Sequence, residues 1–437
     1  MPPEPRTLPF PALGVPPVPR VPVPERWTLP GGLRVVAVPR AGIPQVALRV
    51  VLPAGSAADP TECPGTAALV GSLLTEGTET SDADTLNARI DALGASLHVH
   101  TGHDFTEVEM ILLAGTLEEG IPLLAEVVTR PAFPEDETER VRAEALDALV
   151  AREDEPANVA DDRVLREIYG AGHPYGRPSF GTEEGVRSAT REALRAYHAA
   201  RYRPGGSVVV AAGEFDAAEL RALLESAFAH WAGTAEPVAY PPAPERPARA
   251  GGTVRVPWPD AAQAEIRVAG VGLVRRSPDW VAATVANHVL GGSTILGRLG
   301  ANLREDKGWT YGVRAGFAAG IAPGGWSAET AVDAAVAEDA VREMLAEMRR
   351  MTEEPVPEEE MRRAKDGLIL SLPRAFETPT RVASRFATLE AYDLPRDYWE
   401  RVPERIEEVT PGEVLRLSRE HFDPGRVVTV VVGGVEG

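Results

Sequence analysis

Apolar positions along this chain fall into two periods, and each period marks an element. β-branched runs closed by proline or glycine predict strands over 32–38 and 46–52. The stretch 61–77 reads as a helix stopped by Gly77. Leu86, Ile90 and Leu93 recur at helical spacing over 81–93. Two strands around a turn at Gly102-His103-Asp104 are expected over 97–113, followed by helices over 117–128, 134–153 and 159–169. A helix over 190–202 and a glycine-closed apolar run to Gly213 end this stretch.

The pattern then repeats. Arg203-Pro204-Gly205-Gly206-Ser207-Val208-Val209-Val210-Ala211-Ala212-Gly213 returns 220 positions later as Asp423-Pro424-Gly425-Arg426-Val427-Val428-Thr429-Val430-Val431-Val432-Gly433. Both copies follow a helical stretch, 190–202 and 410–422. Pro134-Glu135-Asp136-Glu137 and Pro357-Glu358-Glu359-Glu360 form a second matching pair. Solenoid periods run only to about 50 residues, so this is a duplicated domain whose halves face each other across a groove. The second half predicts strands over 252–256 and 264–270, helices over 279–290 and 294–306, strands over 311–317 and 326–331, three helical stretches and a last strand.

Strands and helices that run in groups, without strict alternation, indicate α+β domains. The expected architecture is two homologous tandem domains forming half of a clamshell. Each has a mainly antiparallel sheet with helices packed on one face. The domains are expected at 25–233 and 253–437. Between them, 234–252 reads as a linker, with five prolines between Pro237 and Pro247. Eleven prolines in the first thirty residues predict an extended segment over 1–24.

Composition narrows the function. A chain of 437 residues exceeds one ordinary core. A net charge of −20 argues against nucleic acid, which needs a basic surface. Cys63 is the only cysteine, which excludes an internal disulfide and a thiolate metal cluster, and it reads as a small packed residue. No signal-peptide core and no run of ~20 apolar residues is visible, so the expectation is a cytoplasmic protein that contacts no membrane.

The sharpest chemical signal is Leu303-Arg304-Glu305-Asp306-Lys307-Gly308-Trp309-Thr310-Tyr311-Gly312. A helix stops at Gly308 and a strand follows, so Arg304 and Tyr311 can point into one cleft. Arg is a fixed donor fork, and a phenol can donate to an oxyanion. Taken alone, these residues favour a plain reading, with Arg304 paired to an acid and Tyr311 capping a core. His98, His100 and His103 pose a similar choice. They could hold a metal with an open position, or they could line a polar cleft. Gly291-Gly292-Ser293 lacks the Gly-Lys-Ser/Thr of a phosphate loop. His173 sits in a Pro/Gly-rich loop and reads as structural, and Glu358-Glu359-Glu360 as a solvated helix entrance.

Three features together resemble one family. They are the tandem halves, the Leu-Arg-Glu-x-x-Gly-x-x-Tyr pattern at 303–311, and His173-Pro174-Tyr175-Gly176-Arg177-Pro178 followed by Gly181-Thr182. In that order they look like the pitrilysin/insulinase zinc peptidases, from about residue 30 onward. The family carries an inverted zinc motif, His-x-x-Glu-His, in a helix of its first half. This chain keeps the frame at Gly65, Ala67 and Gly77-Thr78, but its ligand positions hold Ala68 and Ser72 and its base position holds Gly71. Where the family places a third ligand, only Asp147 is acidic. Alanine, glycine and serine supply no zinc ligand set.

The resemblance implies that Arg304 and Tyr311 keep the second-half pair that holds substrate and stabilises the intermediate. It also places His98 where the family contacts substrate, on a cleft-lining strand with His100. It further implies a non-catalytic subunit with no cofactor of its own. Such a subunit pairs with a zinc-bearing homologue as a heterodimer that cleaves short unfolded peptides, with a homodimer as the alternative when purified alone. The competing expectation is a structural relative, similar to the core subunits of respiratory complexes, that catalyses nothing.

Overall fold

The computed structural model describes residues 20–259 and 261–433. Most of the proline-rich segment expected at 1–24 therefore lies outside the described residues. The first half supplies β1 (Glu25–Thr28), β2 (Arg34–Pro39), β3 (Gln45–Leu52), β4 (Ser96–Thr101), β5 (Thr106–Leu113) and β6 (Val208–Gly213), which form one sheet in the order β1-β2-β6-β3-β5-β4. The second half supplies β7 (Thr253–Val256), β8 (Gln263–Val271), β9 (Val313–Phe317), β10 (Gly325–Asp333) and β11 (Val428–Val432), ordered β7-β11-β8-β10-β9. β2 pairs with β6 in parallel, as does β7 with β11, and the other pairings are antiparallel. The duplicated runs at 208–213 and 428–432 thus occupy equivalent inner positions. The fold is α+β in two lobes, as the grouping of elements predicted.

The helices of the first half are α1 (Thr66–Leu73), α2 (Ala83–Ala92), α3 (Leu117–Thr129), α4 (Glu135–Glu153), α5 (Pro156–Tyr169), α6 (Glu183–Ser188), α7 (Arg191–Arg201) and α8 (Ala217–Ala227). Those of the second are α9 (Trp280–Asn287), α10 (Arg298–Gly300), α11 (Ala337–Glu353), α12 (Glu358–Ser371), α13 (Pro379–Ala391), α14 (Tyr398–Glu408) and α15 (Pro411–His421). The structure corrects several boundaries. β1, α6 and α8 were not foreseen. Five helices, not three, separate β10 from β11. The helix expected over 294–306 begins only at Arg298, because Gly297 lets the chain double back tightly: a Cβ there would lie 3.0 Å from the Cα of Gly291.

Helices were expected on one face of each sheet, but both faces are covered. Side-chain alternation along the strands assigns the two faces. Val46, Leu48, Val50 and Leu52 of β3 join the core under α1, α3 and α7, while Ala47 and Val51 join the core of the second half. The cover on that far face is α13, a second-half helix lying across β3 and β6. In return α5, a first-half helix, lies across β8 and β11, with Ala160, Val164 and Ile168 against Val428 and Val430. Each lobe therefore lends one helix to the other. The signal was in the sequence: strands buried on both faces read as continuous apolar runs rather than alternating ones.

Ion pairs pin the lent helices. Arg26 Nε and Arg34 Nη1 donate to the Glu390 carboxylate of α13 at 3.1 and 2.9 Å. Arg267 of β8, buried, donates to Asp161 of α5 at 2.7 Å. Glu390 is only 12% exposed, so its charge-assisted bonds act partly out of water. Glu390→Gln should lower unfolding free energy by about 2 kcal/mol. Urea titration checks this, and an unchanged midpoint would mean that the apolar face of α13 suffices alone.

One histidine makes the first lobe sensitive to acid. His198 of α7 lies between the rings of Phe133 and Tyr202, at 5.6 and 4.5 Å, and its Nε2–H donates to the Val128 carbonyl at 3.0 Å. Burial pulls its pKa down to about 4, against the single hydrogen bond that opposes this. The unfolded chain titrates near 6.5 and so binds more protons between pH 6.5 and 4. Stability from this group is complete above pH 6.5 and is lost as pH falls toward 4, by up to about 3 kcal/mol. His198→Gln should flatten that slope in urea midpoints measured from pH 7 to 5, and an unaltered slope would refute the assignment.

Candidate functional site

The degenerate motif sits on α1. Asp59 caps this helix, accepting from the backbone N–H of Gly65 and Ala67, both at 2.7 Å. Burial pushes its carboxyl up to about 7, and the two N–H groups pull the other way. Gly65 enters the helix at φ 108°, a left-handed value that suits glycine. Ser72 is exposed and Ala68 half-buried, while Gly71 is buried against the edge strand β4. A Cβ on Gly71 would lie 2.5 Å from Thr101 Oγ1 and 3.4 Å from Val99 Cγ1. The position that would hold a base therefore admits a side chain only if Thr101 moves. Asp147 is exposed on α4. No cluster of three His, Cys, Asp or Glu side chains among the described residues could hold a metal ion. The residues present do not fit zinc.

The histidine cluster separates in the same way. β4 presents His98 and His100, both exposed, opposite Glu109 and Glu107 of β5. Arg49 bridges those two carboxylates at 2.5 and 2.7 Å. His103 lies past the end of β4. Its Nε2–H donates to the Arg177 carbonyl at 2.9 Å, and its ring lies 5.1 Å from Tyr175. Burial lowers its pKa, which favours the neutral ring. The metal reading of His98, His100 and His103 fails because the His103 Nε2 is committed to the Arg177 carbonyl and the three form no metal-holding group among the described residues. Cys63 is buried with its Sγ 3.4 Å from Ser188 Oγ, a packed residue as expected.

The second-half pair is accessible. Arg304 lies in a π-helical stretch, Ala301–Asp306, where the Lys307 N–H reaches back five residues to the Asn302 carbonyl. Such widened turns recur at functional sites. Gly308, at φ 66°, ends the helix, and Trp309 tucks against the second core. Thr310 Oγ1 accepts from the Gly312 N–H at 3.1 Å and from Thr330 Oγ1 at 2.9 Å, which fixes the turn. Tyr311 stands 95% exposed on this turn, before β9 begins at Val313 and not on the strand as expected. Arg304 is 37% exposed, and its ion pair is a loose 3.4 Å contact with the adjacent Glu305. Tyr311 caps no core, whereas Arg304 does meet an acid, the adjacent Glu305. Beside them, Thr294 presses on Gly312 and exposes Ile295 and Leu296.

Sequence reasoning missed a polar pin between the lobes. Asp104, buried, accepts from Tyr175 Oη at 2.6 Å, from Tyr240 Oη at 2.7 Å and from the Ile321 N–H at 2.9 Å. One carboxylate thereby ties the first lobe, the proline-rich connection and the β9–β10 hairpin. Burial and the nearby carboxylate raise the pKa of both phenols far above the usual range. His173 is structural, as read from its loop: its ring stacks on Tyr169 at 5.0 Å, and its Nδ1 accepts from the Tyr175 N–H. The visible signals were the His173-Pro174-Tyr175 motif and a lone tyrosine among the prolines of the connection.

Residues 34–183 match the family model described as insulinase (peptidase family M16), and 188–368 match that of the peptidase M16 inactive domain. An uncharacterized zinc protease of Mycobacterium bovis is 29% identical over 417 residues, covering 94% of this chain and 93% of that protein. One of Mycobacterium leprae is 31% identical over 288 residues, covering 66% of this chain and 64% of that protein. Among solved structures, the peptidase M16 inactive domain from Pseudomonas fluorescens superposes with a TM-score of 0.88 at 24% identity, over 95% of this chain and 98% of that one. A chain of complex III from Candida albicans gives 0.78 at 19% identity, over 94% and 96%. Both share the fold. Two lobes repeating one sheet order, a hollowed zinc-motif frame and these matches together make the chain a member of the pitrilysin/insulinase family of peptidases.

Proposed function

We propose that this chain is the non-catalytic subunit of a heterodimeric zinc metallopeptidase, lending Arg304 and Tyr311 to the active site of a zinc-bearing homologue. The observation that carries the reading is a contrast. The chain's own motif helix holds Ala68, Gly71 and Ser72 at the ligand and base positions, yet Tyr311 is 95% exposed and the Arg304 guanidinium is accessible. Arg304 clamps a backbone carbonyl of the peptide through its donor fork. Tyr311 donates its phenolic proton in a hydrogen bond to the oxygen of the scissile carbonyl as charge develops there. His98 and His100, exposed on edge strand β4, contact the same peptide. The substrate is a short unfolded peptide and the setting the cytoplasm. No helix among the described residues is long and apolar enough to cross a membrane. The chain holds no cofactor, and zinc belongs to the partner.

A scaffold similar to respiratory-complex core subunits would have no use for a phenol displayed in this way. The test mixes the purified chain with a homologue that carries His-x-x-Glu-His and follows cleavage of a quenched unstructured peptide. Activity is expected only in the mixture. A mixture no faster than the zinc-bearing protein alone would end the proposal, as would cleavage by this chain alone.

A further inference from the structure

A cavity of about 280 Å³ opens in the second lobe between α11, α12 and the π-helical stretch that carries Arg304. Two π-helical segments frame it: His288–Gly292 contributes His288 and Val289, and Ala301–Asp306 contributes Asn302 and Asp306. Arg298, Asn302 and Asp306, spaced by four, share one face of their helix and look toward α11 and α12.

The charges inside are only partly matched. Arg298 Nε donates to Glu360 at 2.8 Å, and Arg350 pairs with Glu347 at 3.0 Å. Asn302 Nδ2 donates to Glu343 and Glu347 at 3.0 and 2.9 Å. The Arg298 side chain is 10% exposed, yet its Nη1 has no hydrogen-bond partner among the described residues. Asn302 Oδ1 is likewise buried without a donor. Arg363 and Asp306, which also line the cavity, form no ion pair among the described residues. Left over inside are a donor on Arg298 Nη1 and an acceptor on Asn302 Oδ1, with the exposed Arg363 and Asp306 also on the lining. A buried unmet polar atom is costly, so such sets ask for a complementary ligand.

We propose that this cavity binds a free aliphatic amino acid. Its carboxylate would meet Arg363 and Arg298, its ammonium would meet Asp306 and Asn302, and its side chain would lie against Val289, Leu296 and Ala364. A simple anion would leave Asn302 Oδ1 unanswered, and a simple cation would leave Arg298 Nη1 so. All of its lining residues come from the second half of this chain.

The experiment is calorimetric titration of the purified chain with L-leucine, N-acetyl-L-leucine and L-leucinamide. Leucine is expected to bind, and each blocked analogue to bind at least about tenfold more weakly, having lost one charged contact. Arg363→Ala and Asp306→Asn should each weaken leucine binding about tenfold without moving the urea midpoint. No binding at about 10 mM leucine overturns the proposal. Equal binding of either blocked analogue does so too, as does undiminished binding by both variants.

Discussion

Tyr311→Phe is expected to lower turnover of the reconstituted pair by about 100- to 1,000-fold, the usual consequence of deleting one oxyanion donor. The substitution removes a single hydroxyl from a side chain that is 95% exposed and packs on nothing in its own lobe. Folding and pairing should therefore be untouched, and a urea midpoint and a size-exclusion profile identical to wild type are part of the prediction. The loss should fall on kcat rather than KM, because the donor is needed most when charge has developed on the carbonyl oxygen. Steady-state assays on a quenched peptide would read it. Unaltered turnover would remove Tyr311 from the chemistry and favour the scaffold reading.

Asp104→Ala is expected to lower unfolding free energy by about 4 kcal/mol, since three donors lose one buried acceptor at once. These donors are Tyr175 Oη, Tyr240 Oη and the Ile321 N–H. They come from three separate parts of the chain, so the loss loosens the joint between lobes and does not damage one element alone. Asp104→Asn, which keeps one carbonyl acceptor, should cost roughly half as much. Urea unfolding measures both. A loss below about 1 kcal/mol for the alanine variant would mean that water replaces the carboxylate at no penalty, and the pin would carry no load.

The site was partly legible before any coordinates. The missing ligands are local facts, read from Ala68, Gly71 and Ser72 within the frame of Gly65 and Gly77. The accessibility of Tyr311 was not local. It depends on Thr310, Gly312 and Thr330 holding the turn outward and on Thr294 pressing from a neighbouring loop. The histidine triplet misled for a similar reason. Spacing alone put His98 and His100 on one strand face, but the direction of His103 was decided by the Arg177 carbonyl, far along the chain.

By itself, then, the sequence determined the duplication, the α+β class and the absence of a zinc ligand set. These rest on residue identity and on short-range periodicity, which act within a few turns of chain. Only the tertiary structure decided that each lobe lends a helix to the other, that Thr101 presses on Gly71, and that Asp104 joins three segments. Those outcomes arise from packing between residues distant in sequence. The chain order records which surfaces are apolar or polar but not which of them will meet, because that choice is made when the whole core closes.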